Sequence, residues 1–117
     1  MVIVKATKEF EAGQLPSRDL LVKMGKYNDV LTKAGVMLAG DGLRPSSKGT
    51  RVRFRAGQAS VTDGPFAETK ELVGGYWIWQ CPTHKDAVEW LKQAPFDDAD
   101  VEIRQLSELE DFAEAFK

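Results

Sequence analysis

Three carboxylates stand where an acid–base site could be built: Asp41 in "LAGDGLRP", and Asp63 and Glu68 in "TDGPFAETKE". A carboxylate serves as a general base near neutral pH when burial raises its pKa, so each needs an apolar wall and a cover that excludes water. Strand alternation would give Asp41 such a wall, shared with Met37, Ala39 and Leu43. Asp63 and Glu68 depend on their loop folding over a sheet. Phe66 then lines a cleft, and Lys70 either opposes the rise in pKa or holds an anionic substrate. Arg53 offers Asp41 a partner or an anion a bidentate clamp, and Tyr27 offers a phenol.

Each of these residues also has a plain structural reading. Asp63-Gly64-Pro65 is complete as a turn: Asp caps it, Gly allows unusual dihedrals and Pro sets the next one. Asp41 fits a solvated bulge as well as a buried strand. Arg51, Arg53 and Arg55 alternate, as on a solvated strand face. Tyr27 sits on an apolar helical stripe, where core packing is the default. Trp77 and Trp79 read as dimer core rather than a stacking platform, Cys81 as inert, and His84 as an exposed first-turn residue. One cysteine and one histidine make neither a disulfide nor a zinc cluster, and there is no phosphate loop or dinucleotide fingerprint. No cofactor or metal is expected.

The elements that must position these groups are read from periodicity. "MVIVKAT" is a strand and "KEFEAGQLP" a polar linker. From Ser17 to Ala34, Leu20, Met24, Tyr27, Leu31 and Ala34 keep one helical face, with Gly35 as the stop. "VMLAGDGLRP" is a second strand and "SSKG" a loop. Residues 50 to 62 form a hairpin, "TRVRFRA" and "ASVTDG" joined by Gly57 and Gln58. "VGGYWIWQC" is a strand apolar on both faces, which implies that both are covered, one by a second copy of the chain. Thr83 opens a helix through Ala87, Trp90, Leu91 and Ala94, ended by Pro95. "VEIRQL" is the last strand, and "SELEDFAEAF" a short acidic helix with Ser107 and Glu110 as its capping box. The order βαββαβ, with an inserted hairpin, predicts an α+β ferredoxin-like antiparallel sheet with both helices on one face. Residues 1–117 read as one domain.

The bulk composition narrows the function. A net charge of -2, with 16 basic and 18 acidic residues, argues against a nucleic-acid scaffold. Lys5 interrupts the apolar stretch a leader would need, and no run approaches the roughly 20 residues that cross a bilayer. A cytoplasmic protein without nucleic-acid or membrane partners is expected.

"VTDGPFAETKELVGGYWIW" resembles the signature of the YCII-related proteins of the DGPF type, a bacterial domain family. "AGVMLAGDGLRPS", "RVRF", "DAVEWLKQAP" and "VEIRQLSELEDF" extend the likeness over most of the chain. The resemblance implies a homodimeric α/β-barrel, two sheets enclosing a cleft. The wider group is associated with a histidine–aspartate pair whose histidine lies on the first helix. Here that helix carries Met24, Lys26, Tyr27 and Asn28 and no histidine, so the pair does not transfer. Some DGPF-type proteins occur beside extracytoplasmic-function sigma factors, and others on this fold act on small aromatic or lactone-like molecules.

Two functions follow as expectations. One is a small-molecule-binding dimer with a cleft between sheet and DGPF loop, acting as a cofactor-free enzyme of proton abstraction or isomerisation through Asp41, Asp63 and Glu68. The other is a non-catalytic ligand-sensing or docking module associated with sigma-factor regulation.

Overall fold

The computed structural model describes residues 1–117, the side chain of Thr69 excepted. The elements run β1 (Val2–Lys5), α1 (Lys8–Glu11), α2 (Arg18–Lys33), β2 (Met37–Gly42), β3 (Thr50–Arg55), β4 (Gln58–Asp63), β5 (Val73–Trp79), α3 (His84–Leu91) and β6 (Val101–Ile103). Thr7, Ser17 and Thr83 start the three helices, each hydroxyl accepting a backbone N–H three residues on. Helix α1 lies inside the stretch expected to be a linker. It is a single turn, too short to show an apolar period, so only its cap announces it. Gly35, at φ 73°, follows α2 in the left-handed conformation that ends helices.

The main sheet has the antiparallel order β2-β5-β1-β6, the arrangement expected of a ferredoxin-like α+β fold. Val2 pairs with Trp77 on one side and Ile103 on the other, and these residues face the helices. Val2, Tyr27, Leu31, Val36 and Trp77 form the buried centre, with Met24, Trp79, Trp90 and Phe96 packed around it. Tyr27 meets Trp77 edge-on at 6.0 Å, an aromatic pairing that adds about 1 kcal/mol beyond area burial. Trp77 is 5% exposed and Trp79 half-buried on the same side, so they belong to the sheet–helix core and not to a dimer core. Both faces of β5 are indeed apolar, but its helices cover the tryptophan face.

A register shift between Met37 and Ala39 also changes the company of Asp41. Met37 packs on the helix side, while Asp41 pairs with Tyr76 on the helix-free side, next to Ala39 opposite Ile78. The apolar wall of Met37 expected for Asp41 is therefore not there.

Strands β3 and β4 make their own two-stranded sheet. Its turn is Ala56-Gly57, at φ 50° and 78°, one residue earlier than expected, and two positive φ angles suit the right-handed twist of a tight hairpin. Val52 and Phe54 oppose Val61 and Ala59 on one face, and the three arginines occupy the other. Phe54 and Val61 are 67% and 68% exposed. At the C-terminus, Leu109–Phe116 is a 3-10 helix rather than an α-helix. Its capping exchange is between Glu108 and Asp111, not Ser107 and Glu110, with the Glu108 N–H donating to Asp111 at 2.7 Å. Leu109, Phe112 and Phe116 are all exposed. The chain is correspondingly flat, 46 × 46 × 18 Å, with a radius of gyration of 16.9 Å against the roughly 13 Å of a compact chain this long.

Candidate functional site

An isolated two-stranded hairpin is marginal in water, so β3–β4 needs an anchor, and the DGPF run supplies it. Asp63 accepts the Thr50 hydroxyl at 3.0 Å across the hairpin base. Gly64 donates its N–H to the Gly49 carbonyl at 3.0 Å. A Cβ on Gly64 would stand 1.7 Å from the Ser46 carbonyl oxygen, so the approach admits glycine alone. The peptide bond into Pro65 is cis. Phe66 donates its N–H to Ser46 Oγ at 3.0 Å, and Ser46 in turn donates its N–H to Glu11 Oε2 at 2.8 Å. The ring of Phe66 lies under Arg51, whose guanidinium carbon is 3.9 Å from the centroid, and Arg51 pairs with Glu68 at 3.1 Å. Asp63, Gly64 and Phe66 thus fasten the base of the hairpin to the loop that precedes it, and Ser46 ties that loop to α1.

This geometry bears on the sequence-derived acid–base candidates. Asp63 is exposed and holds a hydroxyl. Glu68 is also exposed, and its carboxyl is held below the usual range, first by the backbone amide beside it and then by Arg51. That shift is opposite in sign to the one a general base at neutral pH requires. Lys70 is exposed in the 3-10 turn Thr69–Glu71. Arg53 is exposed on the arginine face, and the Tyr76 hydroxyl donates to Asp41 Oδ2 at 3.3 Å. Tyr27 is 8% exposed and its hydroxyl donates to the Trp90 carbonyl. Burial foremost pushes its pKa up to about 12, so its phenol is a core fixture rather than a ligand contact. Burial likewise pushes the Cys81 thiol up, which leaves it a poor nucleophile.

A cavity that Asp41 borders lies elsewhere, between α2 and the glycine-rich middle of β2 and β5. It measures about 340 Å³ and is bounded by Met24, Asn28, Trp77 and Phe96 as well as by Asp41 and Tyr76. Gly42 pairs with Gly75 there, and the missing side chains open the space. Gly40 has the opposite reason: its Cβ would meet Trp77 at 2.6 Å, so glycine lets the indole lie flat on the strand. The indole Nε1–H donates to Asn28 Oδ1 at 2.9 Å. This occupies the amide oxygen and leaves the Asn28 NH₂ as the group with donors to offer. Asp41 and Tyr76 border the cavity from their strands while their side chains meet on the helix-free face.

Of the seven sequence-derived candidates, Asp41 alone borders this cavity; Asp63, Phe66, Glu68, Lys70 and Arg53 belong to the hairpin and its base, and Tyr27 to the core. Asn28 and Tyr76 were missed. Asn28 had a legible signal, a polar residue beside Tyr27 and between Met24 and Leu31 on the apolar stripe of a helix. Glu11 and Ser46 had none, because their contact spans 35 residues.

A YCII-related domain model matches residues 1–110. Over 75 residues the chain is 33% identical to the uncharacterized protein R00369 of Rhizobium meliloti (strain 1021), a match covering 64% of this chain and 57% of that protein's length. With nearly the whole chain matched and a ferredoxin-like sheet beneath it, the protein belongs to the YCII-related domain family.

Proposed function

We propose that this chain is a small-molecule-binding protein that works as a homodimer, its ligand seated in the cavity between α2 and the glycines of β2 and β5. The observation that carries this reading is the Asn28–Trp77 pair. A buried indole fixes the amide in an otherwise apolar cleft, at the lower end of the 300–1,000 Å³ or so typical of small-molecule sites. The walls of Met24, Trp77 and Phe96 favour a flat, apolar ligand, and the Asn28 NH₂ favours a carbonyl or lactone oxygen on it. The Asp41 carboxylate meets Tyr76 on the helix-free face, across the sheet from this ligand, so the reading is of binding rather than of proton abstraction by Asp41.

The test is a thermal-shift screen of small aromatic ketones and lactones, because a ligand specific to the folded form raises the melting temperature. A hit should lose its shift in Asn28→Leu. A hit indifferent to Asn28→Leu would place the ligand elsewhere.

The second reading, a sensing or docking module associated with sigma-factor regulation, is favoured by the C-terminal 3-10 helix with Leu109, Phe112 and Phe116 on the surface. Removing residues 107–117 would then abolish partner binding and leave small-molecule binding intact.

A further inference from the structure

A second cavity, of about 380 Å³, lies beneath Phe66 at the end of the sheet and shares no residue with the first. Leu43, Pro45, Phe66, Leu72 and Val73 give it apolar walls. Glu11 also lines it. One oxygen of that carboxylate, Oε2, takes the Ser46 N–H at 2.8 Å; the other, Oε1, is shielded from solvent and has no hydrogen-bond partner among the described residues. A shielded carboxylate oxygen without a donor is costly, and a site that leaves one invites a donor from outside. Arg44 and Lys48 line the same cavity and supply the opposite charge.

We infer that this cavity binds a small zwitterion with an apolar body, the chemistry of a free α-amino acid with an aliphatic or aromatic side chain. Its ammonium group satisfies Glu11 Oε1, its carboxylate faces Arg44 and Lys48, and its side chain packs against Phe66, Leu72 and Val73. A simple amine would leave two cations facing it, and a simple acid would leave Glu11 unpaired. Only a ligand bearing both charges answers both features. Because Ser46 links Glu11 to Phe66, occupancy also tightens the base of the hairpin.

The experiment is calorimetric titration of the whole chain with L-leucine and L-phenylalanine, against 4-methylpentanoate, which lacks the amine, and isopentylamine, which lacks the carboxylate. One of the two amino acids should bind, and each single-charge analogue should bind at least about tenfold more weakly, the worth of one charge-assisted hydrogen bond. Glu11→Gln keeps an acceptor for the Ser46 N–H and should weaken amino-acid binding by a similar factor. Arg44→Met on the cavity lining should do the same and decides the matter if Glu11→Gln fails to fold. Asn28→Leu, in the other cavity, should leave amino-acid binding unchanged. No binding of either amino acid at millimolar concentration overturns the inference, as does equal binding by the Glu11→Gln variant or by the analogues.

Discussion

The guanidinium of Arg51 stands 3.9 Å above the centre of the Phe66 ring and reaches from there to Glu68 at 3.1 Å. A hairpin residue is thereby fastened to the loop that follows the hairpin, beside the bonds of Asp63 and Gly64 at the hairpin base.

Arg51→Met should loosen that fastening. The exposed ion pair contributes little, so the loss is mainly the cation–π contact, about 1 kcal/mol by urea unfolding. Arg51→Lys should recover part of it. Unchanged stability in both variants would mean that the stack has no energetic role.

Gly64 and Gly25 make a matched pair. Gly64→Ala would drive a Cβ to 1.7 Å from the Ser46 carbonyl oxygen, backbone that cannot swing aside, and should cost about 3 kcal/mol or more. Gly25→Ala places its methyl in open space within α2 and should stabilise the protein by about 0.5–1 kcal/mol. Denaturant midpoints moving in the same direction would contradict the placement of one of the two.

Tyr27→Phe removes the donor of the Trp90 carbonyl and should destabilise the fold by about 1–3 kcal/mol. The wild-type phenol adds a pH dependence. Its folded pKa, about 12, lies above its ordinary value of 10.0, so its contribution is complete below pH 10 and is lost as the pH climbs from 10 to about 12. In a Tyr76→Phe background, phenolate absorbance should rise with the higher midpoint, since Tyr27 is then the remaining tyrosine. A midpoint at 10 would show the hydroxyl to be solvated.

Glu68 has the reverse sign. Its carboxyl titrates below its ordinary value of 4.5, so its contribution is present above that pH and is lost as the pH falls through the lower, folded value. Glu68→Gln should therefore flatten the acid limb of the stability curve: its small loss of stability is present at pH 7 and above and closes as the pH falls through the folded value. An acid limb identical to wild type would rule out the Arg51 pairing in solution.

The proposed homodimer predicts twice the chain mass by light scattering at micromolar concentration. Phe54→Asp and Val61→Asp on the apolar hairpin face should shift this toward monomer if that face is part of the interface. A monomeric wild type would remove the dimer from the proposal.

The parts of this structure that could be read from the chain are those set by neighbours in sequence. The stripe from Leu20 to Leu31 marks α2, Ser17 and Gly35 mark its ends, and Thr83 marks the start of α3. What could not be read depends on pairing at a distance. The alternation of Tyr76, Trp77, Ile78 and Trp79 shows two faces, but the register with Val2 decides which one the helices cover. A single bulge before Ala39 moves Asp41 away from Met37. The DGPF run is conspicuous in sequence, yet its meaning rests on Ser46, Gly49 and Glu11, which carry no local sign of the contact. Even the hairpin turn was displaced by one residue, because alanine at positive φ is a poor guess beside glycine.

Because β3 and β4 hydrogen-bond only to each other among the strands, the hairpin can open without disturbing the four-stranded sheet. Its amides should then exchange with solvent as one cooperative unit, at a lower free energy than those of β1 and β5. The contacts at Ser46 set the height of that step. The DGPF motif thus acts as the clasp of a separately folding piece, and its strength governs how often the arm is released while the rest of the protein stays native.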